Sequence, residues 1–104
     1  MPYEVVLVSS FYKDASEIYD YISQRLGAPQ AAERLIDEAY RRAKGLSETP
    51  TIGRIFVTSN GTPTKFRRIN IRNYSMFYYI NEDEHTVEVH RFIYGRRNLE
   101  LILK

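Results

Sequence analysis

Alternation of apolar and polar positions dominates the second half of the chain, from Lys65 to Arg97. Three runs rich in β-branched and aromatic residues are separated by short polar connections, a pattern typical of β-strands joined by hairpins. Basic residues recur along these runs at even spacing. We therefore predict an antiparallel meander that carries positive charge and forms the functional surface of the protein.

The first half begins with a short strand and continues with helical periodicity. Tyr3 to Val8 is rich in β-branched residues, and we expect a strand that is apolar on both faces and flanked or covered. A first helix should follow, with Ser9 or Ser10 as its N-cap and with Asp14 and Glu17 complementing the helix dipole. Its apolar stripe consists of Ala15, Ile18, Tyr19, Ile22 and Leu26.

The second helix has the clearer apolar stripe. Gly27 is placed to end the first helix, and Pro29 is placed in the first turn of the next. The stripe consists of Ala32, Leu35, Ile36, Ala39, Ala43 and Leu46. Since only Gly27 and Ala28 lie between the helices, we predict an antiparallel hairpin whose alanine-rich face belongs to the core.

The connection from Ser47 to Thr64 leaves two alternatives open. It contains Pro50, Gly53 and an Asn60-Gly61 turn signal, and it is long for a loop in a compact domain. Either Ile55 to Val57 forms a short extra strand, or the segment is a functional loop.

Strand alternation assigns faces to the meander. In the first strand, Ile69 and Ile71 should face the core, while Arg68, Asn70 and Arg72 lie on the opposite face. The middle strand is aromatic on both faces, which is typical of a central strand. In the last strand we expect Val87, Val89 and Ile93 to meet the helices, with His90, Phe92 and Tyr94 on the other face beside Arg68 and Arg72.

For Arg91 and His85 we predict structural environments rather than functional roles. Arg91 falls in the core-facing register, so we expect a salt bridge or an edge position for it. Residues 81–85 form a polar hairpin loop, and His85 within it should be solvated.

These elements predict an α+β fold in a single domain, residues 1–104: an N-terminal strand and an antiparallel helical hairpin packed on an antiparallel β-meander. With 43% apolar and 27% charged residues, the composition is that of a globular protein rather than a disordered one. The N-terminal residues resemble neither a signal peptide nor a membrane span, so we expect a cytoplasmic protein.

Composition also excludes several kinds of chemistry. The chain has no cysteine, which removes disulfides and thiolate catalysis. Its two histidines stand apart from other clustered ligands, and no Gly-rich phosphate loop is present, so we predict neither a metal nor a cofactor. The net charge is −2 for residues 1–52 and +4 for residues 53–104, and a basic second half suits an anionic or acidic partner.

The order of these elements, together with the strings FRRINIRNYSMFYYI and VEVHRFIYGRRNLELIL, resembles the RelE/ParE superfamily of type II toxin–antitoxin toxins. Its most specific parts are Asn-Tyr-x-x-Phe-Tyr at residues 73–78 and Arg-x-x-Tyr-Gly-Arg-Arg-Asn at residues 91–98. The resemblance covers nearly the whole chain. It implies a small cytoplasmic bacterial toxin that a segment of a cognate antitoxin wraps and blocks.

The resemblance leaves the target open between two functional types. RelE-like members cleave messenger RNA in the ribosome, and Arg68 and Arg96 match two of their cationic positions. However, Ser75 stands where those ribonucleases carry an arginine, and the tail lacks their late tyrosine. ParE-like members inhibit DNA gyrase and end in a hydrophobic tail after a Gly-Arg-Arg-like turn, as this chain does, so the pattern favours that type. A third alternative is a non-toxic relative that only binds an antitoxin.

The candidate site residues follow from these readings. A ribonuclease would draw its catalytic groups from Arg68, Arg72, His90, Tyr94 and Arg96, by the chemistry that RNA cleavage needs. A surface that binds a partner or a nucleic acid would use Arg68, Arg72, Arg96 and Arg97.

Overall fold

A computed structural model describes residues 1–95 of the chain as a five-stranded sheet with two helices. The elements are β1 (Glu4–Leu7), α1 (Ser9–Asp20), a π-helical segment (Tyr21–Arg25), α2 (Pro29–Gly45), β2 (Arg54–Val57), β3 (Pro63–Ile71), β4 (Tyr74–Asn81) and β5 (Thr86–Tyr94). The strands lie in the order β1-β5-β4-β3-β2. All neighbours are antiparallel except β1 and β5, and the predicted α+β class is confirmed.

The helical hairpin packs on one face of the sheet through the predicted apolar stripes. Leu35, Ala39 and Ala43 of α2 are buried in one cluster with Phe11 of α1 and with residues of the three central strands. Ala39 and Ala43 are small side chains within this interface, which lets α2 approach the sheet closely at those positions. Neither helix is long and apolar enough to cross a membrane.

The two helices are joined as the sequence predicted, but α1 begins without the expected cap. Gly27 has a φ of +65° and Pro29 opens α2, which confirms both roles. The N-cap position of α1 is Val8, which has no side-chain cap, and the Ser10 hydroxyl instead donates to the His90 carbonyl at 2.6 Å. The predicted serine cap is therefore wrong, because the serine hydroxyl bonds the sheet edge.

The first strand lies at the edge of the sheet rather than between other strands. Among the described residues, β1 pairs only with β5, from Glu4 opposite Thr86 to Leu7 opposite Val89. The Val6 side chain is 37% exposed, so the expected cover on both faces is wrong. Within residues 1–95, no second strand pairs with β1.

Beyond the end of β1, side chains of α1 cover the same edge of β5. The Asp14 carboxylate accepts hydrogen bonds from the backbone N–H of Phe92 at 2.9 Å and from Arg91 Nε at 2.7 Å. Asp14 is buried, and it acts as an edge cap instead of complementing the dipole of α1. The salt bridge predicted for Arg91 is confirmed.

A β-bulge in β5 reverses the faces predicted for its last residues. Tyr78 of β4 lies opposite Val89, but Phe77 lies opposite Arg91, so His90 is the extra residue. Phe92 therefore joins Val89 in the cluster beneath the helices, and Ile93 lies on the other face with Phe77. The predicted placement of Ile93 toward the helices and of Phe92 and Tyr94 away from them is wrong.

We call the sheet surface opposite the helices the outer face. By alternation from the residues that pack under the helices, it carries Phe66, Arg68, Asn70, Ser75, Phe77, Glu88, His90 and Ile93. Phe77 and Ile93 are buried, and Phe56 of β2 packs against them. The predicted aromatic character of both faces of β4 is confirmed, because Met76 and Tyr78 lie on the helix side.

The connection between α2 and β3 contains the extra strand that the sequence left open. β2 pairs with β3, and Gly61, with a φ of +87°, turns the chain between them. Residues 50–53 are anchored to β4 by two hydrogen bonds. The Tyr78 hydroxyl donates to the Pro50 carbonyl at 2.6 Å and accepts from the Gly53 N–H at 2.9 Å. These two hydrogen bonds anchor the chain to β4 just before β2 begins.

The hairpin loop between β4 and β5 also contacts the N-terminus. The His85 ring stacks on Tyr3, with ring centroids 3.9 Å apart, and its Nε2 lies 3.0 Å from the Met1 carbonyl oxygen. The prediction of a solvated His85 missed these contacts, because they come from residues more than eighty positions earlier in the chain.

Candidate functional site

Arg68 lies in β3 on the outer face, as predicted. Its Nε donates to Asn70 Oδ1 at 3.1 Å, and the Ser75 hydroxyl donates to the same oxygen at 3.0 Å. The guanidinium carbon of Arg68 lies 5.9 Å from the centroid of the Phe77 ring. None of the ion pairs within residues 1–95 includes Arg68, so its positive charge is oriented by neutral groups and remains available to an anion.

His90 also faces outward, at the bulge in β5. Its Nε2 lies 3.1 Å from Glu88 Oε1, and its ring packs edge-on against Phe66 with centroids 5.3 Å apart. The hydrogen bond from Asn81 Nδ2, followed by the one with His90, holds the pKa of Glu88 below its usual range. The anionic Glu88 carboxylate thus orients the imidazole, as a carboxylate commonly does for a catalytic or structural histidine.

Arg72 does not share the outer face with Arg68. It follows β3 in the turn to β4, with a φ of +57°, and its Nε lies 3.2 Å from Glu38 Oε1 on α2. The alternation that placed it beside Arg68 stops at Ile71, where β3 ends. That predicted placement is therefore wrong, while the proposed binding or catalytic role of Arg72 stays a prediction.

Tyr94 lies on the helix side of the sheet, because the bulge shifts it by one position. It stands opposite Tyr74, and the two rings meet edge-on with centroids 5.7 Å apart. Burial is the main cause that raises the pKa of Tyr74, followed by the neighbouring Tyr94. Tyr94 is thus separated from Arg68 by the thickness of the sheet, which contradicts the predicted proximity.

Tyr94 instead borders a groove between α1 and the ends of β4 and β5. The groove has a volume of about 560 Å³, and its lining includes Ile18, Tyr21, Leu26, Tyr74 and Tyr94. The lining is mostly apolar and aromatic, with two carboxylates, Asp14 and Glu17. Asp14 is already engaged with Arg91, and the apolar and aromatic lining gives the groove the character of a contact surface.

Arg96 and Arg97 lie outside the described residues. The roles predicted for them in catalysis or partner binding therefore stay predictions.

Arg54 is a basic residue of the site that the sequence reading missed. It lies opposite Arg68 in the pairing of β2 with β3. A hollow of about 430 Å³ is lined by Arg54, Ile55, Phe56, Val57, Arg68 and Asn70. The available signal was the run of β-branched and aromatic residues at Ile55, Phe56 and Val57 directly after Arg54, but its meaning depended on whether residues 54–57 formed a strand.

Comparisons with known proteins agree with the described fold. The family model described as "ParE toxin of type II toxin-antitoxin system, parDE" matches residues 5–99. No match was found among curated proteins.

Solved structures with the same fold include toxins of both functional types. The chromosomal ParDE system of P. aeruginosa has a chain that is 14% identical, with a TM-score of 0.70, over 88% of this chain and 95% of that chain. A mutant of the E. coli toxin RelE in the free state is 12% identical, with a TM-score of 0.67, over 98% and 93%. The RelBE2 toxin–antitoxin complex of Mycobacterium tuberculosis is 17% identical, with a TM-score of 0.60, over 90% and 99%. At these identities the likeness concerns the fold.

Proposed function

The chain belongs to the family of ParE toxins of type II toxin–antitoxin systems, within the RelE/ParE superfamily, and from that premise we propose that it arrests growth by acting on DNA gyrase. We further propose that a cognate antitoxin binds the chain and neutralises it. We also propose that the chain is a bacterial protein that acts in the cytoplasm.

The separation of the candidate catalytic residues is the observation that carries the choice of gyrase. Cleavage of RNA through its 2′-hydroxyl needs a base, a cation and an acid around one phosphate. Arg68 and His90 share the outer face, but Arg72 is paired with Glu38 of α2 and Tyr94 packs on the helix side. Of these four candidates, only two are therefore placed on one surface.

Ser75 supports the same choice. It stands where RelE-like ribonucleases carry an arginine, and here it is buried and donates its hydrogen bond to Asn70. A buried serine hydroxyl supplies no positive charge to a pentacovalent phosphate. At this position the chain therefore lacks the electrostatic stabilisation that a fixed cation gives to such a transition state.

The alternative function is a ribosome-dependent messenger RNA endonuclease. It is favoured by the placement of Arg68, which has no ion pair within residues 1–95, on the same surface as the His90–Glu88 pair. Within residues 1–95, such a site would draw its positive charge from Arg68 and its proton transfer from His90.

The test is to induce the chain in bacteria and to measure two kinds of damage in the same culture. We expect growth arrest with an increase in DNA covalently linked to gyrase, while messenger RNA on ribosomes stays intact. The purified chain should likewise increase gyrase-linked cleavage of supercoiled DNA in vitro. Cuts in ribosome-bound messenger RNA without gyrase-linked breaks would overturn the gyrase proposal in favour of the endonuclease.

The same culture tests toxicity and neutralisation. Co-expression of the cognate antitoxin, which we expect to be encoded beside this gene, should restore growth. Unimpaired growth on induction, with folded protein present in the cell, would overturn the toxic function and leave an antitoxin-binding relative.

A further inference from the structure

Two arginines from neighbouring strands meet on the outer face. Arg54 of β2 and Arg68 of β3 are directly opposite each other, a position in which like charges destabilise a sheet. The ion pairs found within residues 1–95 include neither residue. Both line the hollow of about 430 Å³ described above, so an anion placed there would relieve their repulsion.

Asn70 adds a neutral donor to the same hollow. Its Oδ1 accepts from Arg68 Nε at 3.1 Å and from the buried Ser75 hydroxyl at 3.0 Å. Because Arg68 Nε can only donate, the amide oxygen of Asn70 must face it, and the Nδ2 group points elsewhere. The hydrogen bonds within residues 1–95 give this Nδ2 group no acceptor.

The polar side chains around the hollow therefore offer donors. The rest of its lining, residues 55–57 of β2, is apolar, and the lining contains no carboxylate. A phosphodiester matches this set, because its non-bridging oxygens carry the negative charge and only accept hydrogen bonds. Arginine forks are well suited to such oxygens, which they can bind through two parallel N–H groups.

We propose that this hollow binds a phosphate group of the DNA backbone, with Arg54, Arg68 and Asn70 as its donors. This inference rests on the proposed function, because gyrase holds DNA when the chain acts on it. A phosphate contact positions a protein on DNA without reading its sequence. The site would hold the chain beside the DNA segment that gyrase cleaves.

The number of donors favours this ligand over a carboxylate from another protein. A carboxylate presents two oxygens, which one arginine fork can occupy fully, whereas the hollow is lined by two forks and an amide. A second copy of the chain, docked through the same surface, would bring further arginines to the hollow and would raise the repulsion.

Fluorescence anisotropy of a labelled DNA duplex tests the site on the purified chain. We expect Arg54→Gln combined with Arg68→Gln to raise the dissociation constant about tenfold or more, because charge-assisted hydrogen bonds are lost. The slope of log affinity against log salt concentration should fall by about one, as for the loss of one phosphate contact. The matched control is Arg41→Gln combined with Arg42→Gln, which removes the same charge at exposed positions of α2 and should stay within about threefold of the wild type.

Inorganic phosphate tests the chemistry of the hollow without DNA. In NMR spectra of the chain, phosphate should shift the signals of Arg68 Nε–H and of the Asn70 side-chain amide more than acetate does at equal ionic strength. Asn70→Asp places a carboxylate beside Arg68 and should abolish these shifts. Equal shifts with acetate, in a chain that does not bind DNA, would overturn the inference in favour of an acidic protein partner.

The stability of the double variant is the control for folding. We expect it to melt at or above the wild-type temperature, because removal of two opposed charges relieves their repulsion. If it melts lower, Arg54→Gln alone, at an exposed position, replaces it in the binding test.

Gyrase assays separate this inference from the proposed function. The double variant should need about tenfold more protein than the wild type to give the same gyrase-linked cleavage of DNA. Wild-type cleavage and wild-type DNA affinity in the variant would overturn the inference alone, as would tighter binding of RNA than of DNA. A wild-type chain that gives no gyrase-linked cleavage would overturn the proposed function, and this inference would fall with it.

Discussion

Replacing Asp14 with alanine should destabilise the protein more than any exposed substitution on the same helix. Its carboxylate is buried and accepts three hydrogen bonds, two from Arg91 at 2.7 and 3.0 Å and one from the Phe92 backbone at 2.9 Å. These bonds join α1 to β5 beyond the point where β1 ends. Loss of the carboxylate therefore uncovers an edge of the sheet.

The size of the effect follows from the two groups left without their acceptor. A buried backbone N–H without a partner costs about 1–3 kcal/mol. The broken ion pair adds about 1–2 kcal/mol, less than for a fully buried pair, since the Arg91 side chain is 26% exposed and can turn toward water. We expect a loss of about 3 kcal/mol in the free energy of unfolding, which lowers the melting temperature by roughly 12–24 °C in a domain of this size.

Urea unfolding followed by circular dichroism measures this loss. Asp14→Asn, which keeps one acceptor oxygen but no charge, should lose about half as much. Asp20→Ala, at an exposed position near the end of α1, is the control and should stay within about 0.5 kcal/mol of the wild type. If Asp14→Ala unfolds at the same urea concentration as Asp20→Ala, with an unchanged denaturant slope, the capping role assigned to Asp14 is wrong.

Three further predictions concern other parts of the molecule. Gly53→Ala should lose about 1–3 kcal/mol in urea unfolding, because its Cβ would lie 2.7 Å from the Tyr78 hydroxyl and 2.9 Å from the Arg68 carbonyl. Gly45→Ala has nothing within 4 Å and should be neutral or stabilising by up to about 1 kcal/mol; equal losses would refute the contrast. Since the pKa of Glu88 is lowered in the fold, its charge stabilises the protein above the ordinary value of 4.5, and this contribution is lost as pH falls through the lowered value. Glu88→Gln should therefore be a few tenths of a kcal/mol less stable than the wild type at pH 7 and equally stable in acid, whereas a constant difference would contradict this. Arg96→Ala and Arg97→Ala should each weaken growth arrest without lowering the melting temperature, and full toxicity in the double variant would refute their predicted role.

The helical hairpin and the meander could be predicted from the sequence because their signals are local. The stripe on α2 needs only its own periodicity, and the turn at Gly27 needs only the residues beside it. The parallel partner of β1 could not be predicted in this way, since the residues that pair lie at opposite ends of the described chain. The cap supplied by Asp14 depends on that pairing and was missed with it.

The sequence predicted only part of the candidate site. The extra residue at the bulge in β5 accounts for much of the error. Phe92 and Ile93 are both apolar, so alternation fits β5 equally well before and after a shift of one position. A charged residue in the core-facing register, Arg91, was the signal that the register changes nearby. Arg68 was placed on the correct face because its strand has no bulge between it and the isoleucines that face the core.

The parallel pairing of β1 with β5 has a consequence for the order in which the protein is made. The first strand to leave the ribosome joins residues 86–89, so it has no partner until most of the chain has been synthesised. Contacts between residues so far apart form late, whereas those of the helical hairpin are local and form early. A nascent chain should therefore carry the hairpin before it has a sheet, and truncated products should lack the surface that holds Arg68 and His90 together.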